Sequence, residues 1–302
     1  MAGPDINPTT AGASIQADAI IRLSGIYRYF SGVAALRDVS VDFYRGEVHA
    51  ILGENGAGKS TLMSIISGAL QPSEGEITID GRTMRHLTPD IAASLGIAIC
   101  FQHPAILEDL SVLENLRVAL PAAVFAGRPV QETARQMLDR VGLDVPLRMR
   151  ADGLTVAQKH LEIAKALALK PKVIILDEPT ASLDQDATDM LFGRIREIVR
   201  DGTSVIYITH RLAEIRQIAH RVTVLRDGRV RGSSLVEDIG DADLVNLIVG
   251  RTLESAFPPK STRENGEIGF SVAGLNRKGL RNISFDVPRG QIVGIAGVAG
   301  NG

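Results

Sequence analysis

VHAILGENGAGKSTLMSIISGAL, residues 48–70, decides the fold: an apolar run from Val48 to Leu52 gives way to a glycine-rich loop, Gly53 to Gly58, and then to a helical pattern from Lys59 to Leu70. Strand, glycine loop and helix in that order form the context in which a backbone can wrap around phosphate. Glycines let successive N–H groups turn inward, and the helix that follows adds its positive N-terminal end. Lys59 is then placed to reach β and γ phosphates, and the Ser60 hydroxyl to ligate Mg²⁺. Gly53, Glu54, Asn55, Gly56, Ala57, Gly58, Lys59, Ser60 and Thr61 are therefore the candidates for holding a nucleotide. The bland alternative is a glycine turn.

Lys172-Val-Ile-Ile-Leu176 is a second apolar run, and it ends in two adjacent carboxylates, Asp177 and Glu178. Such a run belongs at the centre of a parallel sheet, whose C-terminal edge is where ligands bind. Asp177 is expected beside the metal. Glu178 is expected beside the γ-phosphate, as the general base that polarises the attacking water. Alone, an Asp-Glu pair after a strand is a solvated turn; the glycine loop changes that reading.

Around these two segments, β-branched runs (VSVDF, EITIDG, IAICF, SVIYIT, RVTVLRDG) alternate with longer helical patterns, which predicts an α/β fold. Over about 103–170 the runs DLSVLENLRVAL, RPVQETARQMLDRVGL and LTVAQKHLEIAKALALK carry apolar residues at helical spacing and predict an inserted helical subdomain. Residues 1–18, rich in Ala, Gly, Thr and Pro, read as a tail. The opening lacks the basic-then-apolar order of a signal peptide, and no apolar stretch is long enough to cross a bilayer.

Composition narrows the partners. With 33 Lys+Arg against 35 Asp+Glu the net charge is −2, so there is no bulk positive field for nucleic acid or an anionic membrane. The single cysteine, Cys100, excludes an internal disulfide and fits a reducing cytosol.

The chain also repeats itself. Leu36-Arg-Asp-Val-Ser recurs as Leu280-Arg-Asn-Ile-Ser, Gly46 as Gly290 and Gly58 as Gly302, each displaced by 244 positions. A second copy of the domain is therefore expected over 268–302, with QIVGIAG as its strand before a second glycine loop, and 254–267, which includes FPPKSTRENGE, as a linker. The chain reads as a tandem protein cut in that loop; a native C-terminal extension is the alternative.

With these segments in order, the sequence resembles the ATP-binding-cassette (ABC) ATPases, over about residues 19–253 as a complete cassette and 268–302 as the start of another. The resemblance implies a P-loop NTPase fold with a parallel core sheet, an N-terminal antiparallel β-subdomain and the inserted helices. It implies that Gln102, after IAICF, contacts Mg²⁺ and the attacking water. It implies that Ser182-Leu183-Asp184 is the loop crossing to a partner cassette, although Asp184 also reads as a helix cap. His210 is implied as the switch histidine donating to the γ-phosphate, and Phe30, or Tyr29 beside it, as the aromatic that stacks on adenine. Leu154-Thr-Val-Ala-Gln158 stands where the family has LSGGQ. Thr155 and Gln158 keep a capping-box spacing that can face a phosphate or simply cap a helix. Val156 and Ala157 replace glycines, so closure of the opposing site is expected to be weaker, and the two sites unequal.

Tandem cassettes with a GENGAGKSTLM loop and DEPTASLD resemble the ATPase subunits of bacterial monosaccharide importers. That resemblance implies ATP and Mg²⁺ as cofactors and peripheral placement on the cytoplasmic face of the inner membrane. The partners it implies are integral-membrane permease subunits, a second cassette and, indirectly, a periplasmic solute-binding protein, with no nucleic acid. Nucleoside importers share this architecture. Soluble tandem cassettes on ribosomes or DNA, and regulatory modules that bind without hydrolysis, are the other classes; the linker has no excess of Lys or Arg, and Glu178 is present.

Overall fold

A computed structural model describes residues 19–101, 104–154, 157–181, 183–250, 267–277 and 279–296. The expected tail, most of the expected linker, and Gln102, Thr155 and Ser182 lie outside those residues. The chain divides into two units, 1–250 and 251–302.

In the first unit the core is a sheet of order β10-β9-β3-β8-β7-β6. Its strands are β3 (Val48–Leu52), β6 (Ile97–Cys100), β7 (Val173–Asp177), β8 (Ser204–Thr209), β9 (Arg221–Arg226) and β10 (Arg229–Leu235). β6, β7, β8, β3 and β9 run parallel, and β10 closes the edge antiparallel to β9. Every residue of β3 and β8 is buried, as expected of strands covered on both faces. The pleat sends Ile174, Leu176, Val205 and Tyr207 into one hydrophobic cluster and Val173, Ile175, Ile206 and Ile208 into another on the opposite face.

The second of those faces is covered by α1 (Lys59–Ile66) and by an antiparallel sheet of order β2-β1-β4-β5. This sheet comprises β1 (Ala19–Phe30), β2 (Val33–Tyr44), β4 (Glu74–Ile79) and β5 (Arg82–Met84). The first face is covered by α3 (Val112–Ala119), α4 (Val130–Arg140), α5 (Gln158–Ala168) and α6 (Gln185–Arg200); α2 (Pro89–Ser94) precedes β6. α3 starts with a capping box in which the Glu114 amide donates to Ser111 Oγ and the Ser111 amide to Glu114 Oε2. Leu116 of α3, Leu138 of α4 and Leu161 of α5 share one cluster with Tyr207 of β8. Helices of two or three turns cannot enclose a core of their own, so the helical region borrows its core from the sheet. α7 (Leu212–Ile218) and α8 (Asp241–Val249) pack Ile215 and Leu244 against Ala50, Val222 and Val224.

The second unit is an antiparallel hairpin of β11 (Ile268–Arg277) and β12 (Leu280–Pro288). Its register reproduces that of β1 and β2. Leu23 faces Val41 and Val272 faces Phe285; Ile26 faces Val39 and Leu275 faces Ile283. The Gly25 amide donates to Ser40 Oγ at 2.9 Å, and the Gly274 amide to Ser284 Oγ at 2.9 Å. Asp38 and Asn282 share a left-handed backbone, φ 54° and 50°. Copies of β2 residues sit 244 positions on, whereas copies of β1 residues sit 249 on (Gly25 to Gly274), so the second hairpin is five residues shorter. The strand expected over QIVGIAG is not formed: residues 291–296 have no strand structure. β3, their counterpart, is held between β8 and β9, whereas among the described residues no strand pairs with 291–296.

Candidate functional site

β3 leads directly into the glycine loop. A Cβ on Gly53 would stand 2.3 Å from the Leu225 carbonyl oxygen, and one on Gly58 2.8 Å from that of Ala35, at φ 102°. Only glycine fits either place without moving backbone. Gly53→Ala is therefore expected to lower stability by about 1–3 kcal/mol, read as a lower urea midpoint; an unchanged midpoint would mean that β9 does not press on the loop. Gly58 caps α1 with no side-chain bond, so the first-turn amides of that helix are offered to the cavity in front of it.

Lys59, 7% exposed, folds back over the loop, and its Nζ donates to the carbonyls of Gly53 (2.8 Å) and Glu54 (3.0 Å). Three donors sit on an ammonium and two are used here, which leaves one for an anion. Burial pulls Lys59 below the usual lysine range, and the charges of Glu178 and Asp177 act the other way.

β7 brings the two carboxylates to the same edge. Burial, then the adjacent Glu178 charge, pushes Asp177 above the usual carboxylate range, while Lys159 and Lys59 pull it down. Glu178 leaves the strand with φ 42°; its amide donates to the Ile208 carbonyl at 3.1 Å, and its Oε1 lies 3.0 Å from His210 Nδ1. Asp177, Glu178, Lys59, Ser60 and Thr61 line one open cavity of about 350 Å³ with Asn55, Gly56, Gly58 and Ala35. Gly53, Glu54 and Ala57 support it from behind: the Ala57 amide donates to the Glu54 carbonyl at 3.2 Å. His210 stands at the end of β8, where the sequence puts it, with Nδ1 on Glu178.

Of the remaining predicted residues, Phe30, Asp184 and Gln158 are described, and they lie apart from this cavity, whereas Gln102 and Thr155 fall outside the described residues. Phe30, 44% exposed, carries the Arg28 guanidinium over its ring at 4.7 Å, and Tyr29 stacks with Tyr27 at 6.1 Å; Ala35 of β2 is what the hairpin contributes to the lining. Asp184 is the cap of α6, its Oδ1 accepting from the Ala187 amide at 2.9 Å. α5 begins at Gln158, behind Ala157 and without a side-chain cap. The Gln158 Nε2 donates back to the Ala151 carbonyl at 3.2 Å.

One cation near the site was not read from the sequence. Lys159, 5% exposed on α5, donates through Nζ to the carbonyls of Phe101 and, at 3.2 Å, Asp177. It ties the helical region to the acidic strand end. Its signal was available: a lysine inside an apolar helical pattern, with Glu162 and Lys165, also buried, forming an ion pair at 2.6 Å on the same helix.

The chain is similar to known proteins over most of its length. The family model described as "ABC transporter" matches residues 36–181. The chain is 43% identical over 295 residues to a putative ribose/galactose/methyl galactoside import ATP-binding protein of Agrobacterium fabrum, covering 96% of the chain and 58% of that protein. It is 42% identical to the D-allose import ATP-binding protein AlsA of Escherichia coli K12, covering 93% of the chain and 58% of AlsA. The chain thus spans about 58% of the length of these relatives. Among solved structures, cbiO1 of Clostridium perfringens, part of the ABC transporter complex cbiONQ, is 30% identical with a TM-score of 0.64, covering 76% of this chain and 95% of that one. A nucleotide-free ATP-binding cassette from an ABC transporter is 27% identical with a TM-score of 0.66, again covering 76% and 95%.

Proposed function

Because the chain belongs to the ABC transporter family of ATP-binding cassettes, we propose that it binds and hydrolyses ATP as part of a monosaccharide importer, driving uptake through a separate membrane permease. The observation that carries the reading is the convergence of Lys59, Ser60, Asp177 and Glu178 on one cavity at the carboxyl edge of a parallel sheet.

The donor set suits Mg²⁺. Ser60 Oγ and the Asp177 carboxylate are hard oxygen ligands, and Gln102 is the further candidate, outside the described residues. No group of three or more His, Cys, Asp or Glu among the described residues could hold a metal by itself. That fits an ion completed by phosphate oxygens and water, which would neutralise phosphate charge. The loop amides and the free donor of Lys59 bind and orient the terminal phosphates. Glu178 takes the proton of the attacking water as its oxygen bonds to the γ-phosphorus and the bond to the β-phosphate oxygen breaks. His210, against Glu178, holds that carboxylate toward the reacting centre.

A second cassette closes over the site when ATP is bound, and hydrolysis reopens the pair. Gln102 and the helical region carry that motion to the permease, at the cytoplasmic face of the membrane. Among the described residues no helix is long and apolar enough to cross a membrane. The sugar assignment rests on the import proteins to which the chain is similar.

Titration with Mg-ATP is expected to saturate one site per chain, and absence of binding would end the nucleotide reading. Turnover by this chain by itself is expected to be slow and linear in protein concentration, because the closing surface comes from another cassette; a quadratic rise would mean that two copies pair instead. Disrupting the gene is expected to abolish uptake of labelled ribose, galactose or allose. Normal sugar uptake with lost nucleoside uptake would move the assignment to nucleosides.

A further inference from the structure

A buried carboxylate that plays no part in the site as described sits directly behind it. Glu214, on α7 and 5% exposed, receives four donors. Its Oε1 accepts from Thr180 Oγ1 (2.6 Å) and Arg211 Nη1 (3.3 Å), and its Oε2 from Tyr207 Oη (2.9 Å) and Thr209 Oγ1 (2.7 Å). Thr180, Tyr207 and Thr209 are themselves buried, at 2%, 0% and 2% exposure. Burying an ionised carboxylate is costly unless its acceptor positions are filled, and here both oxygens are engaged.

The position of the donors along the chain gives the network a meaning beyond packing. Thr180 lies two residues after Glu178; Thr209 and Arg211 flank His210. Thr209 Oγ1 also accepts from the Arg211 amide at 3.0 Å. One carboxylate therefore grips the segments that present the two members of the Glu178–His210 contact, on each side of their 3.0 Å approach. Glu178 needs such a grip. Its φ of 42° is a left-handed conformation that strains a non-glycine residue and persists only where the surroundings over-determine it.

The geometry points to Glu214 as a positioning residue for hydrolysis: it does not line the nucleotide cavity, and it sets the Glu178 carboxylate against His210 by bracing Thr180, Thr209 and Arg211 at once. The role rests on the hydrolytic reading above. A carboxylate does this best, because both of its charged oxygens accept from all four donors. In Glu214→Gln the charge facing Arg211 is lost and the Tyr207 and Thr209 hydroxyls must turn round to accept from the new NH₂, so the brace loosens while the side chain keeps its size.

The test uses the whole chain, with rates normalised to sites titrated by ADP so that misfolded molecules do not count. Glu214→Gln is expected to lower kcat by roughly 10–100-fold, the cost of misplacing a catalytic group by about an ångström, with KM for ATP and Kd for ADP unchanged. In a His210→Ala background the same substitution is expected to cost little more, since the contact it braces is already gone. Thr180→Val, which removes one donor, is expected to lower kcat, and Thr180→Ser to restore it; this pair carries the test should Glu214→Gln fail to fold. Wild-type kcat in Glu214→Gln, a loss of nucleotide affinity in place of kcat, or an equal loss in the His210→Ala background would each overturn the positioning role. A wild-type chain that binds ATP without turning it over would overturn the hydrolytic reading itself, and is told apart by that control.

Discussion

Glu178→Gln is expected to bind ATP as the wild type does and to lose hydrolysis by roughly 10²–10⁴-fold. The groups that hold phosphate are left in place: the loop amides, the first turn of α1, Lys59 and Ser60. The left-handed backbone at 178 and the bond from its amide to Ile208 are main-chain features that glutamine keeps. What is lost is an oxygen able to take a proton from water, at the one carboxylate in the cavity that also contacts the histidine after β8. Asp177 is not expected to substitute, because the contact with His210 belongs to Glu178 and the place proposed for Asp177 is at the metal. The check is a pair of measurements on one preparation, Mg-ATP affinity and single-turnover hydrolysis. Near-normal turnover would remove Glu178 from its role, and parallel loss of affinity and rate would mean that it binds rather than acts.

The parts of this site that could be read from sequence are those whose physics is local. A glycine loop between an apolar run and a helix announces itself because amides, glycines and the helix N-terminus act within a dozen residues. VIIL followed by Asp177 and Glu178 announces a buried strand end for the same reason. What was illegible depends on packing between distant segments. Glu214, in LAEIRQI, reads as solvent-facing because of its charge although it stands four residues before Ile218 on the same face, and only the fold brings Thr180 to it from 34 positions away. Lys159 carried a partial signal as a lysine inside an apolar helical pattern, but nothing in the sequence pointed to the carbonyls of Phe101 and Asp177 that it meets. The repeat was read from a constant offset that begins at Leu280, so the five-residue shortening of the second hairpin, upstream of that point, emerged only when strand register could be compared. QIVGIAG misled because alternation of apolar residues describes a strand's faces and is silent about its neighbours.

Lys59→Ala tests the other half of the site, and its effect should fall on binding and not on folding. Among the described residues lining the cavity, Lys59 alone carries a cationic side chain, set opposite two carboxylates. A charge-assisted bond of this kind contributes about 1.5–3 kcal/mol, so affinity for ATP is expected to fall by roughly one to two orders of magnitude. The unliganded fold carries a cost for the same group. Burial lowers the Lys59 pKa, so the unfolded chain binds the proton more tightly, and between the folded and unfolded values stability rises with pH. Removing the amine removes that desolvation cost, against which stands the loss of a donor to the carbonyls of Gly53 and Glu54. The two changes oppose each other, and the urea midpoint of the nucleotide-free protein is expected to move little. The substitution also takes away one of the two lysines that hold Asp177 down, so the Asp177 pKa should rise further and the residual ATP affinity should fall away at a higher pH on acidification than in wild type. Calorimetric titration across pH, paired with unfolding of the nucleotide-free chain, separates these effects. Unchanged affinity would contradict the phosphate-loop assignment, whereas a collapse of the nucleotide-free fold would show that Lys59 is there to close the loop and only secondarily to meet phosphate.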